Sequence, residues 1–359
     1  MPPALTLLPL LAVLALLAAF VAGQRDPGRR PAGVLTAARA ATLAALALAA
    51  ATAVAVAALG PATSPLIGIA GVGVSLRLDA FTAVMFLLVA FVGAIVVQFS
   101  RNYMDGDDRQ GAFMGGLCLT LAAVSLLILS GNLYLLVAAW IATSLALHRL
   151  LLFYAGRPNA RVAGRKKFVT ARLGDLLLIG AAVLLAQAFA TTDIATILEG
   201  ARAAAAAGET PAGVVPATLL IAVAALLKSA QFPTHGWLAE VMETPTPVSA
   251  LLHAGIINAG GFLVVRFADV MLLSVGSLHL LAIVGGFTAL FGSVVMLTQT
   301  SIKVSLAYST VAQMGFMLLQ CGLGAFTAAV LHIVAHSLYK AHAFLSSGSI
   351  IDIARASWV

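Results

Sequence analysis

Late in the chain, "LHIVAHSLYKAHAF" sets His332, His336 and Lys340 four residues apart. On a helix, positions i, i+4 and i+8 lie on one stripe. That stripe is roughly 12 Å long at about 1.5 Å of rise per residue. Imidazole titrates near neutrality and can pass a proton between its two nitrogens. A lysine out of water can alternate between charged and neutral. The three side chains together could therefore form part of a proton wire. Histidines four apart also suit zinc, but no Glu or Cys accompanies them, so no metal site is expected. His342 falls on another face, as packing or partner-facing.

Four more ionisable groups interrupt apolar runs: Asp175 in "TARLGDLLLIG", Lys228 in "LLKSAQFPTHGW", His253 in "TPTPVSALLHAG" and Lys303 in "TQTSIKVSLAYST". In lipid each costs several kcal/mol or more, which makes each a functional candidate. Plainer readings compete. A lone buried histidine is usually a satisfied core residue, Lys303 at a span end can snorkel to the interface, and Lys228 could simply pair with Asp175. Pro233 follows Lys228 by five residues. A proline removes a helical hydrogen bond and clashes with the turn before it, and free carbonyls at membrane depth are tolerated only beside protein or water. "KSAQFP" thus predicts a broken helix beside a hydrated cavity, with Lys228 at the break, a design found where ions cross at mid-membrane.

The elements that must hold these groups are transmembrane helices. Of the 359 residues, 62% are hydrophobic and 9% charged, against about 25% charged in a soluble domain. The expected fold is an all-α polytopic membrane protein of about eleven spans, at about 20 apolar residues each: 4–22, 36–59, 79–99, 112–131, 132–154, 171–190, 212–232, 247–266, 273–298, 303–322 and 324–350. Residues 4–22 lack a basic leader and read as a first span rather than a signal peptide. The stretch 193–209 reads as an interfacial helix or loop, and 71–79 as a short hairpin. Residues 1–70 form N-terminal spans, and 71–359 the core. Arg25, Arg29, Arg30, Arg101, Arg109, Arg157, Arg161, Arg165, Lys166 and Lys167 follow odd-numbered spans, whereas Arg77, Arg202 and Arg266 follow even ones. The positive-inside rule then puts the N-terminus outside and the basic 155–167 loop in the cytoplasm. The net charge of +7 is a topology signal, not a nucleic-acid signal. Cys118 and Cys321 sit inside apolar runs, so no disulfide and no iron–sulfur cluster is expected.

"KSAQFP…W…M…TPTPVSALLHAG", "IKVSLAYSTVAQMGFM" and "HIVAHSLYKAHAFLSSGS" resemble, in order, the motifs of the antiporter-like subunits shared by NADH-quinone oxidoreductase (its subunit L) and Mrp-type cation/proton antiporters. The resemblance runs from about residue 70 to residue 351. It implies a proton-translocating role for Lys228, His253, Lys303, His332, His336 and Lys340, with Asp175, after Arg172 and Gly174, as a counter-ion. In the respiratory branch a Trp-Glu pair in the fifth span supplies the central lysine's partner; here Trp140 is followed by Ile141, with His148 and Arg149 further on. "SLALHRLLLFY", "GRKKF" and "METPTPVSALLHAGIINAGGF" are similar to one branch, the DabB membrane subunits of inorganic-carbon uptake complexes. That implies a DabA-type zinc partner resembling a β-carbonic anhydrase, a coupled H+ or Na+ gradient, and an inner-membrane subunit that is not itself an enzyme, with no cofactor and no catalytic residue. The alternative is a respiratory or Mrp-type pumping subunit. The family core continues past the eleventh helix, so a fragment or a short variant is expected here.

Overall fold

The computed structural model describes residues 1–69, 72–154, 156, 158–241 and 244–347, without the side chains of residues 158 and 159. The chain opens with α1 (Pro3–Leu7) and α2 (Leu10–Arg25), followed by α3 (Ala32–Leu59). Pro9 caps α2, so the first span is two helical pieces rather than one. Four short strands come next, β1 (Ala62–Thr63), β2 (Ile67–Ile69), β3 (Val72–Val74) and β4 (Arg77–Leu78). β2 pairs with β3 and β1 with β4, both antiparallel. The hairpin expected within 71–79 is therefore only one arm of a longer one that reaches back to residue 62. Gly68 opposes Gly73 in it, and a Cβ on either would lie 2.6 Å from the other's Cα, which explains why small residues alternate there.

The core begins with α4 (Ala80–Tyr103), α5 (Gln110–Leu129) and α6 (Leu133–Leu151). Asp79 and Asn132 cap α4 and α6, each accepting from a backbone N–H three residues on at 2.8 Å, which satisfies a donor that the helix cannot use itself. Then follow α7 (Pro158–Phe189), α8 (Ile194–Ala207), α9 (Val214–Lys228), α10 (Gly236–Glu240), α11 (Thr246–Ala254), a 3₁₀ turn (Ile256–Asn258), α12 (Ala259–Arg266), α13 (Ala268–Met271), α14 (Val275–Leu297), α15 (Ile302–Gly322) and α16 (Phe326–Ser346). α7 packs on α6 and α9, α9 on α12 and α14, α14 on α15, and α16 on α11 and α15.

Among the described residues, nine helical segments are long and apolar enough to cross a membrane. The other two of the eleven expected spans are α9, 15 residues by itself, and α16, whose 21 residues include three histidines and a lysine. The basic 155–167 segment is helix from Pro158 onward. Ala160, Ala163 and Lys167 face inward there while Arg161, Arg165 and Lys166 face out. An amphipathic face, which charge counting overlooks, turns a loop into the first turns of α7. Residues 155 and 157 of that segment, and the end of the last expected span at 348–350, lie outside the described residues. The segment Ile194–Ala207 is a helix, capped by Asp193 and ended by Gly208 at φ +70°. That positive φ is easy for glycine.

Candidate functional site

α9 ends at Lys228, five residues before Pro233, and the chain runs without helix to Gly236. Ala230 in this link is left-handed, at φ +49°. The seventh helix is thus broken as expected, although the break starts at Lys228 rather than at the proline. A cation on the last residue of a helix meets the negative end of the helix dipole. The link is held tightly. Ser229 Oγ donates to the Ile257 carbonyl at 3.0 Å, and Gln231 Nε2 donates to Ser229 O at 2.8 Å. α12 crosses so close that a Cβ on Gly260 would lie 2.3 Å from Ser229 Oγ and 2.4 Å from Ala225 O.

Lys228 as a residue keeps some exposed surface, but its ammonium is enclosed. The ammonium sits 4.2 Å from the centre of the Trp140 ring, a cation–π contact, and its one hydrogen bond among the described residues is long, to Trp140 O at 3.5 Å. Asp175 is buried and pairs with Arg172, at 2.7 Å on the same helix, with the Trp140 side chain also against it. The guanidinium is close but not aimed: both carboxylate oxygens lack an aligned hydrogen bond among the described residues. Lys228 and Lys167 act on Asp175 from farther away, through space. Lys167 is 6% exposed and donates to Ser144 O at 2.6 Å and Ser144 Oγ at 3.1 Å. Sequence reasoning missed it by assigning it to a cytoplasmic loop. The signal that could have found it is its spacing from Ala160 and Ala163, which puts all three on the buried face.

The second cluster lies across the 3₁₀ turn. The eighth span is broken at Gly255, which sequence reasoning read as a continuous helix; the glycines of "HAGIINAGG" were the available sign. Asn258 at this break donates to Ala254 O at 3.1 Å and Ser337 Oγ at 2.9 Å. One turn earlier, His253 is fully buried, with Nδ1 3.0 Å from Thr310 Oγ1 and its ring stacked on Phe344 at 4.3 Å. Lys340 is also fully buried and donates to Leu306 O at 3.0 Å and Ser309 Oγ at 2.8 Å. His332 and His336 lie along α16 with ring centres 6.0 Å apart. His342 is exposed. The Nε2 atoms of His253, His336 and His332, and Oδ1 of Asn258, have no hydrogen-bond partner among the described residues. Buried polar atoms of that kind are what a passing proton carrier or water can engage. Lys303 stands apart, half-buried at the start of α15, with no ion pair or hydrogen bond among the described residues. It is one turn from Leu306, whose carbonyl Lys340 holds.

The geometry therefore strings polar groups from Asp175 and Lys228, through Ser229, the Ile257 carbonyl, Asn258 and Ser337, to His336, Lys340 and His253. Two helix breaks open the backbone along the way. That is the architecture of an ion-translocating helical bundle.

Comparison with known proteins agrees. The family described as NADH:quinone oxidoreductase/Mrp antiporter, TM, matches residues 130–357, and the NADH-ubiquinone oxidoreductase (complex I), chain 5 N-terminus, matches 67–114. The chain belongs to this antiporter-like family of membrane subunits. It is 46% identical over 292 residues, 81% of this chain and 52% of the other, to "Probable inorganic carbon transporter subunit DabB2" of Halothiobacillus neapolitanus. NADH-quinone oxidoreductase subunit L of Escherichia coli is 37% identical over 286 residues, 79% of this chain and 46% of the other. The solved Mrp complex of Dietzia sp. superposes with a TM-score of 0.79 at 30% identity, over 93% of this chain and 37% of that one. The chain spans about half the length of the curated relatives it matches.

Proposed function

We propose that this chain is the ion-translocating membrane part of an inorganic-carbon uptake system in the cell inner membrane. Protons pass along Lys228, His253, Lys303, His332, His336 and Lys340, and Asp175 sets how tightly the Lys228 site holds its proton. The link at Pro233 keeps Lys228 at the end of a half-helix. Residues 1–70 brace the conducting core from 71 onward, the N-terminus lies outside, and the basic 155–167 segment faces the cytoplasm. The chain carries out no covalent chemistry. A DabA-type zinc subunit converts CO2 to bicarbonate, and the ion gradient makes that conversion one-way.

The observation that carries this reading is the set of buried, incompletely partnered polar atoms on Asp175, His253, Asn258 and His336, in a bundle with two broken helices. The similarity to a protein named as an inorganic carbon transporter subunit supports the substrate. The test is Lys228→Ala in the native membrane complex. Loss of bicarbonate accumulation with assembly intact is expected, and full uptake would overturn the reading. Replacing the proton gradient by a Na+ gradient separates the two candidate ions.

A second reading, a respiratory or Mrp-type pumping subunit, is favoured by the 37% identity to subunit L. Ile141, where that branch carries its acidic partner, speaks against it. Co-purification from native membranes decides: a stoichiometric zinc protein supports carbon uptake, and NADH dehydrogenase or Mrp subunits support the alternative.

A further inference from the structure

Lys167 has no role in the reading above, yet it is buried much as Asp175 and His336 are. It and Lys228 line the same small cavity, together with Ser144 of α6, Trp237 of α10 and Ile257 of the 3₁₀ turn. At about 20 Å³ that cavity has room for roughly one water. Beside it opens a vestibule of about 570 Å³, walled by Arg165, Lys166 and the Pro233–Gly236 link. Thr170 and Trp237 line both spaces. The Lys167–Lys228 cavity and the open mouth therefore adjoin at Thr170 and Trp237.

Among the described residues, the charges in this region do not balance. Lys167 is faced by Lys228 on α9, by Arg172 and Asp175 on its own helix and by His148 on α6. Among the described residues, three bases that ordinarily carry charge, Lys167, Lys228 and Arg172, stand against one carboxylate, Asp175. Enclosed surroundings resist an unpaired charge, and a guanidinium does not give up its proton. The proton that comes and goes must then sit on a lysine, and two lysines share the cavity.

We propose that Lys167 is a second proton-carrying lysine of the Lys228 site, sharing its cavity beside the vestibule. This rests on the proton-translocating reading above. In the transfer, one N–H bond breaks at Lys167 Nζ and one forms at the neutral amine of Lys228, and the positive charge moves with the proton. Lys228 then passes its proton onward along the line given above, and a hydronium ion from the vestibule, reaching Lys167 past Thr170 and Trp237, restores the N–H bond there and is left as water. Ser144, which holds the Lys167 ammonium through its carbonyl and hydroxyl, keeps it aimed into the cavity.

The experiment uses the native complex containing this chain, reconstituted in proteoliposomes with a pH-sensitive dye inside. The variants are Lys167→Met, Lys167→His and Lys167→Arg, with Lys228→Ala as the control on the parent reading. Lys167→Met is expected to slow proton flux by about 100-fold, as loss of a proton-transfer group does, with one ionisation gone from the flux–pH profile. Lys167→His should restore part of the flux with its optimum moved toward about pH 6.5, where imidazole titrates. Lys167→Arg should restore none, because its charge is fixed. Wild-type flux and pH profile in Lys167→Met would overturn the proposal. So would full rescue by Lys167→Arg, since a cation that merely props up Ser144 need not titrate. If Lys167→Met fails to assemble, the His and Arg variants at matched assembly still decide between the two roles. Should Lys228→Ala conduct normally, the parent reading fails. A silent Lys167→Met beside a dead Lys228→Ala sinks only this inference.

Discussion

Two buried cations of this protein are held in opposite ways. Arg266, at the end of α12, donates from Nη1 to Asp79 Oδ2 at 2.6 Å and from Nη2 to Thr82 Oγ1 at 2.6 Å. Its guanidinium lies 5.1 and 5.5 Å from the centres of Phe81 and Phe262, whose rings are themselves stacked. Arg77 adds a second cation to the same carboxylate at 2.8 Å. Burial works against charge on Asp79, but Arg266, the Thr82 N–H and Arg77 outweigh it and hold its carboxyl down at about 2. Among the described residues Lys228 has one long hydrogen bond and an aromatic face, and the carboxylate that acts on it, Asp175, is in contact with another cation. A charge locked by specific partners ties α4 to α12 and stays charged. A charge with loose partners can lose its proton without dismantling the fold. Both cost the protein desolvation; only the second arrangement leaves the proton free to move.

The comparison can be broken most directly by removing each cation. Arg266→Ala should cost about 3–5 kcal/mol, the usual penalty for stranding one partner of a buried ion pair. It should appear as loss of folded protein in detergent; unchanged melting would mean that the Asp79 contact is not structural. Lys228→Ala should reduce ion flux by about 100-fold while leaving the melting temperature of the complex near wild type. A large loss of stability there would erase the distinction between the two cations.

Smaller effects sharpen it. Gly260→Ala puts a methyl group into Ser229 and the Ala225 carbonyl and should cost about 1–3 kcal/mol, as overpacking does. Flux should fall with it, because the helix end that carries Lys228 must shift. A variant with normal stability and flux would show that α9 and α12 can separate freely. Acid tests the locked pair. The Asp79 carboxyl is held below its unfolded value, about 3.9, so its contribution is present above that pH and disappears as pH falls toward about 2. For this pair, thermal stability should stay flat from neutrality to about pH 4 and drop below it, and Asp79→Asn should remove that drop. Least of all, Lys166→Ala should change stability by under about 1 kcal/mol, because the Lys166–Glu240 pair, at 2.6 Å, is largely exposed.

Much of the bundle was legible before any coordinates. Apolar runs of membrane-spanning length located the helices, and Pro233 announced the break beside Lys228. His332, His336 and Lys340 fall along one helix, as their spacing requires. Other features were hidden for physical reasons. Lys167 sits among basic neighbours, and a charge count cannot tell which of them turns inward. Arg266 looked like a loop charge because its partner Asp79 is far away in the chain. The second break, at Gly255, came without a proline, and a glycine inside an apolar run is as compatible with close packing as with a bend. Asp175 was expected to serve Lys228, yet the cation in contact with it is Arg172, three residues earlier on the same helix.

The sequence by itself determined that this is a polytopic helical membrane protein with ionisable groups at membrane depth, because hydropathy and helical period act over neighbouring residues and need no fold to be read. Tertiary structure alone decided which of those groups share a cavity and which are locked in pairs. Partnership between α4 and α12, or among α6, α7 and α9, is set by distances across the bundle, and burial and Coulomb energy depend on those distances rather than on order along the chain.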